Sequence, residues 1–160
     1  MSDEVALSDE DPRDPAGAAL IYELVALLGA LYPEDADETV VPWTLDDIAR
    51  DGAFVVARVG GEPAGCAGLA PTALDRTFEI VRMYVRPAYR GRRIADRMLA
   101  ALESIAVGRG ADMLMLRCGP RQPEALRVYE RNGYARRGVF GHHREHPMNV
   151  FYEKALTPPP

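Results

Sequence analysis

Two stretches of the chain gather side chains whose types and spacing could do chemistry. The first is Tyr84-Val85-Arg86-Pro87-Ala88-Tyr89-Arg90-Gly91-Arg92-Arg93-Ile94-Ala95. It places a turn and a helix start directly after a strand. The unpaired backbone N–H groups of such a start, with the helix dipole behind them, can hold a pyrophosphate. Around it Arg82, Arg86, Arg90, Arg92, Arg93 and Arg97 fall within 16 residues accompanied by a single acid, Asp96. That cluster suits a small polyanionic ligand, although an arginine-rich solvated surface reads the same way. The second stretch is Gly141 to Pro147, which holds all three histidines, His142, His143 and His146. His142 and His146 have the four-residue spacing that chelates a metal on a helix. Gly141 and Pro147 oppose a helix there, so a solvated loop is the default.

These stretches need elements to position them. Leu20, Leu24, Leu27, Leu28 and Leu31 follow helical spacing and predict a first amphipathic helix from about Ala16, ending before Pro33. The acidic run Pro33 to Thr39 reads as a loop. Thr44 followed by Leu45, Asp46 and Asp47 reads as an N-cap and an acidic first turn of a short helix ending near Gly52. Phe54 to Val59 and Pro63 to Ala70, joined by Gly60-Gly61, predict a β-hairpin. Thr77 to Val85 alternates as a strand, with Glu79, Val81, Met83 and Val85 on one face and Phe78, Ile80, Arg82 and Tyr84 on the other. From Arg93 to Gly108 the period is helical, through Ile94, Met98, Leu99, Leu102 and Ile105. Met113 to Cys118 is another strand. Pro123 at a start and Asn132-Gly133 at an end bracket a short helix. Final strands are expected near Tyr134 to Arg137 and Val150 to Leu156. The alternation of elements predicts a mixed α/β sheet with helices covering its faces.

Composition narrows the function classes. With 160 residues, 48% hydrophobic and 27% charged, the chain fits one globular domain and excludes a disordered or low-complexity polymer. A net charge of −5 argues against nucleic-acid binding. The charge is uneven: residues 1 to 50 carry 13 acids against Arg13 and Arg50 alone. An acidic N-terminal region weakly favours a cationic acceptor. No stretch predicts export or membrane insertion. Cys66 and Cys118 are too few for a disulfide framework or a four-ligand zinc site, so a reducing cytoplasm is inferred.

Arg90-Gly91-Arg92-Arg93-Ile94-Ala95 resembles the pyrophosphate loop of the GNAT superfamily of acetyl-CoA-dependent N-acetyltransferases, which reads Arg or Gln, two residues, Gly, one residue, Gly or Ala. Ala125-Leu126-Arg127-Val128-Tyr129-Glu130-Arg131-Asn132-Gly133-Tyr134 is similar to the family's second signature. The resemblance spans roughly residues 14 to 156. It leaves residues 1 to 13 as a flexible acidic N-terminus or short first strand, and 157 to 160 as a frayed tail. It implies an α/β (α+β mixed) GNAT-like domain whose central, mostly antiparallel sheet is splayed at the cofactor site, with helices on both faces. It also implies an acyltransferase in which a small-molecule amine attacks the thioester of acetyl-CoA directly in a ternary complex. No metal, nucleic acid or membrane is implied, and a homodimer is compatible with the family.

By that resemblance the cofactor is held by Arg90, Gly91, Arg92, Arg93, Ile94 and Ala95, by main chain at Met83 and Val85, and by Gln122. Two positions depart from the family: Arg93 stands where Gly is usual, and Gln122 where Asn is frequent. An amine with a pKa of about 10.4 is protonated at neutral pH and needs a base. Glu79 matches the family's carboxylate for that task, on the face expected to carry Met83 and about 13 Å from it at roughly 3.3 Å per residue. The other reading of Glu79 is a salt-bridged strand carboxylate. Tyr129 matches the tyrosine proposed to protonate the leaving thiolate, or else is a packed helix tyrosine. Tyr22, Glu23 and Tyr32 on the first helix and His142 in the late loop are the candidate walls of the acceptor site. Cys118 offers a covalent route or is a passive thiol. Two further classes stay open on sequence: a CoA-binding module without turnover, and a metal-binding protein built on His142 and His146.

Overall fold

A computed structural model describes residues 4–35 and 41–157. Much of the loop expected over 33 to 39 lies outside the described residues, as do residues 1–3 and 158–160. In chain order the elements are β1 (Val5–Asp9), α1 (Pro15–Leu31), a 3-10 turn (Pro33–Asp35), α2 (Leu45–Asp51), β2 (Ala53–Val59), β3 (Glu62–Pro71) and β4 (Thr77–Val85). A second 3-10 turn (Pro87–Tyr89), α3 (Ile94–Gly108), β5 (Met113–Cys118), α4 (Pro123–Arg131), β6 (Ala135–Arg137) and β7 (Val150–Ala155) follow.

The seven strands form one sheet in the order β1-β2-β3-β4-β5-β7-β6. Every neighbouring pair is antiparallel except β4 and β5, which are joined through α3 and run parallel. The sheet is therefore mixed and mostly antiparallel. One face carries the larger core, in which Met98, Leu99 and Leu102 of α3 pack on Ala57, Ala67, Leu69, Ile80 and Leu114. The opposite face carries Leu20 and Leu24 of α1, Trp43, and Ile48 of α2 against Phe54, Val56, Cys66, Val81 and Tyr84. Helices thus cover both faces.

The short helix α2 shows how local chemistry sets an element. Thr44 accepts from the Asp47 backbone N–H at 3.1 Å, and Asp47 accepts from the Thr44 N–H at 2.9 Å, a reciprocal capping box.

The alternation expected along β4 breaks at one residue. Between its pairs with β3 the register slips from Gly68↔Val81 to Cys66↔Tyr84, so β4 carries one extra residue there. Arg82 absorbs the slip in the left-handed region at φ 55°. As a result Val81 and Tyr84 share the α1/α2 face, while Phe78, Ile80, Met83 and Val85 pack toward α3. Glu79 pairs with Ala70, also on the α1/α2 face. The expectation that Glu79, Met83 and Val85 share a face is thereby corrected: an inserted residue inverts the parity of everything beyond it.

Candidate active site

The parallel ladder between β4 and β5 runs from Thr77↔Met113 to Ile80↔Leu116 and then stops. Beyond it β4 continues to Val85 and β5 to Cys118 without pairing to each other, leaving a V between two strands of one sheet. The bulge at Arg82 begins just past the closed end of the V.

On the α3 side, β4 leads through Arg86 and the second 3-10 turn into Arg90–Arg93. Gly91 has φ 82°, and a Cβ there would meet nothing within 4 Å. Arg93, the N-cap of α3, has φ 60° and no side-chain cap on the helix start. The first-turn N–H groups of α3, including those of Ile94 and Ala95, therefore carry the open donors of a helix N-terminus. Arg93 does not plug this start. Its side chain is 72% exposed and reaches Asp96 at 3.6 Å. Asp96 also accepts from Arg131 at 2.8 and 2.6 Å and from Asn132 at 2.8 Å, tying α3 to the end of α4. Those bonds hold its carboxyl well below the usual carboxylate range despite burial.

The six-arginine cluster divides. Arg90, Arg92 and Arg93 stay with the loop, where Arg90 donates to the Val85 carbonyl at 3.3 Å. Arg97 donates instead to Val5 of β1 at 2.8 Å. Arg86 grips Glu23 of α1 through Nη2 at 2.7 Å and Nε at 3.0 Å, with the Tyr84 hydroxyl donating to the same carboxylate at 3.2 Å. Arg82 lies through the sheet on the α1/α2 face, 5.2 Å over the Trp43 ring.

Tyr129 of α4 packs on the α3 side, 5% exposed, with its ring 6.0 Å from Tyr134 and 6.1 Å from Tyr152. Burial pushes its hydroxyl pKa far above the ordinary value, so it keeps its proton. Cys118 is 7% exposed, and burial pushes its thiol up to about 11. A thiol that holds its proton so firmly is a poor nucleophile, which favours the passive reading of Cys118.

On the α1/α2 side, Glu79 is 5% exposed and its Oε2 lies 2.9 Å from His143 Nε2. The His142 ring stacks 3.9 Å from that of His143, and Phe140 and Phe151 enclose the pair from the side. Burial, with His143 next, lowers the pKa of His142. The histidine expectation is thus revised. His142 meets His143 and Glu79, with ligand atoms of all three within 4.8 Å of one another. His146 is occupied in its own turn, where Nδ1 accepts from the Met148 N–H at 3.1 Å.

Of the three α1 candidates, Tyr32 meets the turn that follows β5. Its hydroxyl accepts from the Arg121 N–H at 3.0 Å and donates to Gln122 Oε1 at 3.4 Å, fastening the end of α1 over the β5–α4 turn. Tyr22 is 77% exposed, and the Glu23 carboxylate is spent on Arg86 and Tyr84. What sequence reasoning missed are two pairings, His143 with Glu79 and Arg82 with Trp43. The first left a trace, three histidines close to the last strand. The second left none, because a bulge has no signature in alternation.

Comparisons with known proteins bear on the same geometry. The sequence profile of the acetyltransferase (GNAT) family matches residues 18–134. The IAA acetyltransferase of Azospirillum brasilense is 35% identical over 153 residues, covering 95% of this chain and 98% of that protein. A Klebsiella pneumoniae protein assigned as an acyl-CoA N-acyltransferase has a solved structure with TM-score 0.79 at 30% identity, covering 96% of this chain and 98% of that one. An aminoglycoside 6′-N-acetyltransferase complexed with coenzyme A shares the fold at TM-score 0.70 and 18% identity, covering 97% and 99% of the two chains.

Proposed function

The chain belongs to the GNAT family of acetyltransferases, which draw their acyl group from acetyl-CoA, and from that membership we propose how its residues divide the work of acetylating a small-molecule amine. The observation that carries the reading is the V between β4 and β5, flanked by the uncapped start of α3 on one face and by Glu79 with His143 on the other. Acetyl-CoA supplies the activated acyl group as a thioester. Arg90, Gly91, Arg92, Arg93, Ile94 and Ala95 hold its diphosphate, with amides doing the gripping and Arg93 adding charge from outside. The main chain at Met83 and Val85 lines the opening. Gln122 is oriented by Tyr32 and closes the far side.

Glu79 takes the proton from the attacking amine, and His143, hydrogen-bonded to it, shares that proton. The pair is shielded from bulk water, which strengthens its hold on a substrate ammonium. Tyr129 keeps its own proton until the departing sulfur needs one. His142 stacks on His143 and fixes its ring. The buried, unpaired Cys66 and Cys118 support a reducing cytoplasmic setting. A homodimer, which family likeness alone suggests, is tested by the molecular mass in solution.

The experiment is a panel of amines with acetyl-CoA, read by release of free thiol, beside thermal shift with CoA. CoA should raise Tm, and at least one amine should yield thiol above background. CoA binding with no acceptor would instead favour a module without turnover. Glu79→Gln and Tyr129→Phe should each lower kcat by about 10²- to 10⁴-fold, with CoA affinity unchanged.

A further inference from the structure

Among the described residues, the buried side-chain nitrogens and oxygens left without a hydrogen-bond partner are Trp43 Nε1 and Arg82 Nε. Both are donors, and they belong to side chains in contact, the guanidinium 5.2 Å over the indole ring. A buried donor without an acceptor typically costs about 1 to 3 kcal/mol, so two at one place call for an acceptor-only group. Arg82 is held there by the left-handed turn at the β4 bulge, immediately past Val81 and next to the closed end of the V.

A second cation faces the same opening. Arg117 sits on β5 just past Leu116, where pairing with β4 ends, and its hydrogen-bond partner is the neutral Asn149 side chain, Nη1 to Oδ1 at 2.7 Å. Burial disfavours charge on Arg82, and the nearby Arg117 guanidinium adds to this. Among the described residues neither forms an ion pair. Glu79, three residues before Arg82 on β4 and already paired with His143, supplies the site's negative charge at the closed end of the V.

Resting on the acetyltransferase reading above, we propose that the acceptor carries an anionic group, a carboxylate, next to its amine. The carboxylate is received by Arg82, Trp43 Nε1 and Arg117 while the amine points to Glu79 and His143. A planar, two-oxygen anion satisfies a guanidinium fork and an indole N–H together. A purely cationic amine would instead meet two uncompensated positive charges. The weak preference for a cationic acceptor drawn from the acidic N-terminal region gives way accordingly, since the described acids of that region are largely paired with arginines.

The test uses the full chain with acetyl-CoA and matched acceptors: amino acids, their carboxamides, the corresponding amines without the carboxyl, and aminoalkyl phosphates. Thiol release should favour the carboxylate members over amides and simple amines by at least about tenfold in kcat/KM. Trp43→Phe keeps the ring and loses the donor, and Arg117→Gln alters a solvent-facing strand residue. Each should raise KM for the carboxylates severalfold and leave KM for simple amines unchanged, with circular dichroism confirming the fold. A preference for phosphates over carboxylates, lost in the same variants, would support the anion site and reassign its ligand. Equal or better use of simple amines, with variants that act on all acceptors alike, would overturn the proposal. If no amine is acetylated, thermal shift of the CoA-loaded protein decides the anion site separately. A Tm rise with carboxylates and not with amides supports it, and equal response refutes it.

Discussion

Arg93 holds φ 60° where a glycine would be free to sit, and an L-residue there costs about 1 to 2 kcal/mol. The strain buys no obstruction, since the guanidinium points out to Asp96 at 3.6 Å. Arg93→Gly relieves the strain but loosens the unfolded chain by a similar amount, and it loses only an exposed ion pair. Stability should move by less than about 1 kcal/mol, and CoA affinity measured by calorimetry should change less than about tenfold. A hundredfold tightening would mean that the side chain blocks the diphosphate after all. At the same scale, the Glu79–His143 contact explains why a carboxylate is tolerated at 5% exposure: its neighbour on the late loop provides a hydrogen bond that burial would otherwise deny it.

The helices α3 and α4 are bound by Asp96, which accepts from Arg131 and Asn132. A carboxyl whose native pKa is depressed contributes stability that is complete above its unfolded value near 3.9, and that contribution fades as pH falls toward the native value. Asp96→Asn should therefore cost about 1 kcal/mol or more at neutral pH, and the difference from the parent chain should shrink below about pH 4 in denaturant titrations. The turn after β5 offers a second test. A Cβ on Gly119 would sit 1.9 Å from the Tyr32 hydroxyl. Gly119→Ala should displace Tyr32, lower stability by about 1 to 3 kcal/mol, and raise KM for the acceptor, as followed by urea unfolding and thiol release. Most elements could be read directly: the leucine spacing of α1, the Gly60-Gly61 hairpin, the Thr44 cap and the helix breaks at Gly108 and Asn132 are local signals. What escaped was non-local. The slip at Arg82 arises from pairing with β3, and the approach of His143 to Glu79 spans 64 residues of chain.

Across the whole molecule, the charge imbalance between the N-terminal third and the rest turns out to be internal wiring. Glu10 pairs with Arg58, Glu23 with Arg86 and Glu34 with Arg121, each joining the acidic region to the basic one. β1 adds backbone pairing along β2 and receives Arg97 on the Val5 carbonyl. Such pairs are individually worth about 0 to 1 kcal/mol, but β1 also shields the edge of β2. Removing residues 4 to 10 should lower Tm by more than about 4 °C by circular dichroism and promote association. An unchanged melt would show that β1 is dispensable. No helix among the described residues is long and apolar enough to cross a membrane.

The extra residue in β4 has a bearing on how such a protein could change over time. It inverts the alternation, so Glu79 on one hand and Met83 and Val85 on the other, which strict alternation would put on one side, address opposite sides of the sheet. On the proposed division of work, the residue that receives the incoming amine and those that line the way for the nucleotide carrier therefore stand on opposite sides of a single strand. If those roles hold, substitutions around Glu79 retune what is modified while Met83 and Val85 stay untouched, so new acceptors become accessible without renegotiating the donor.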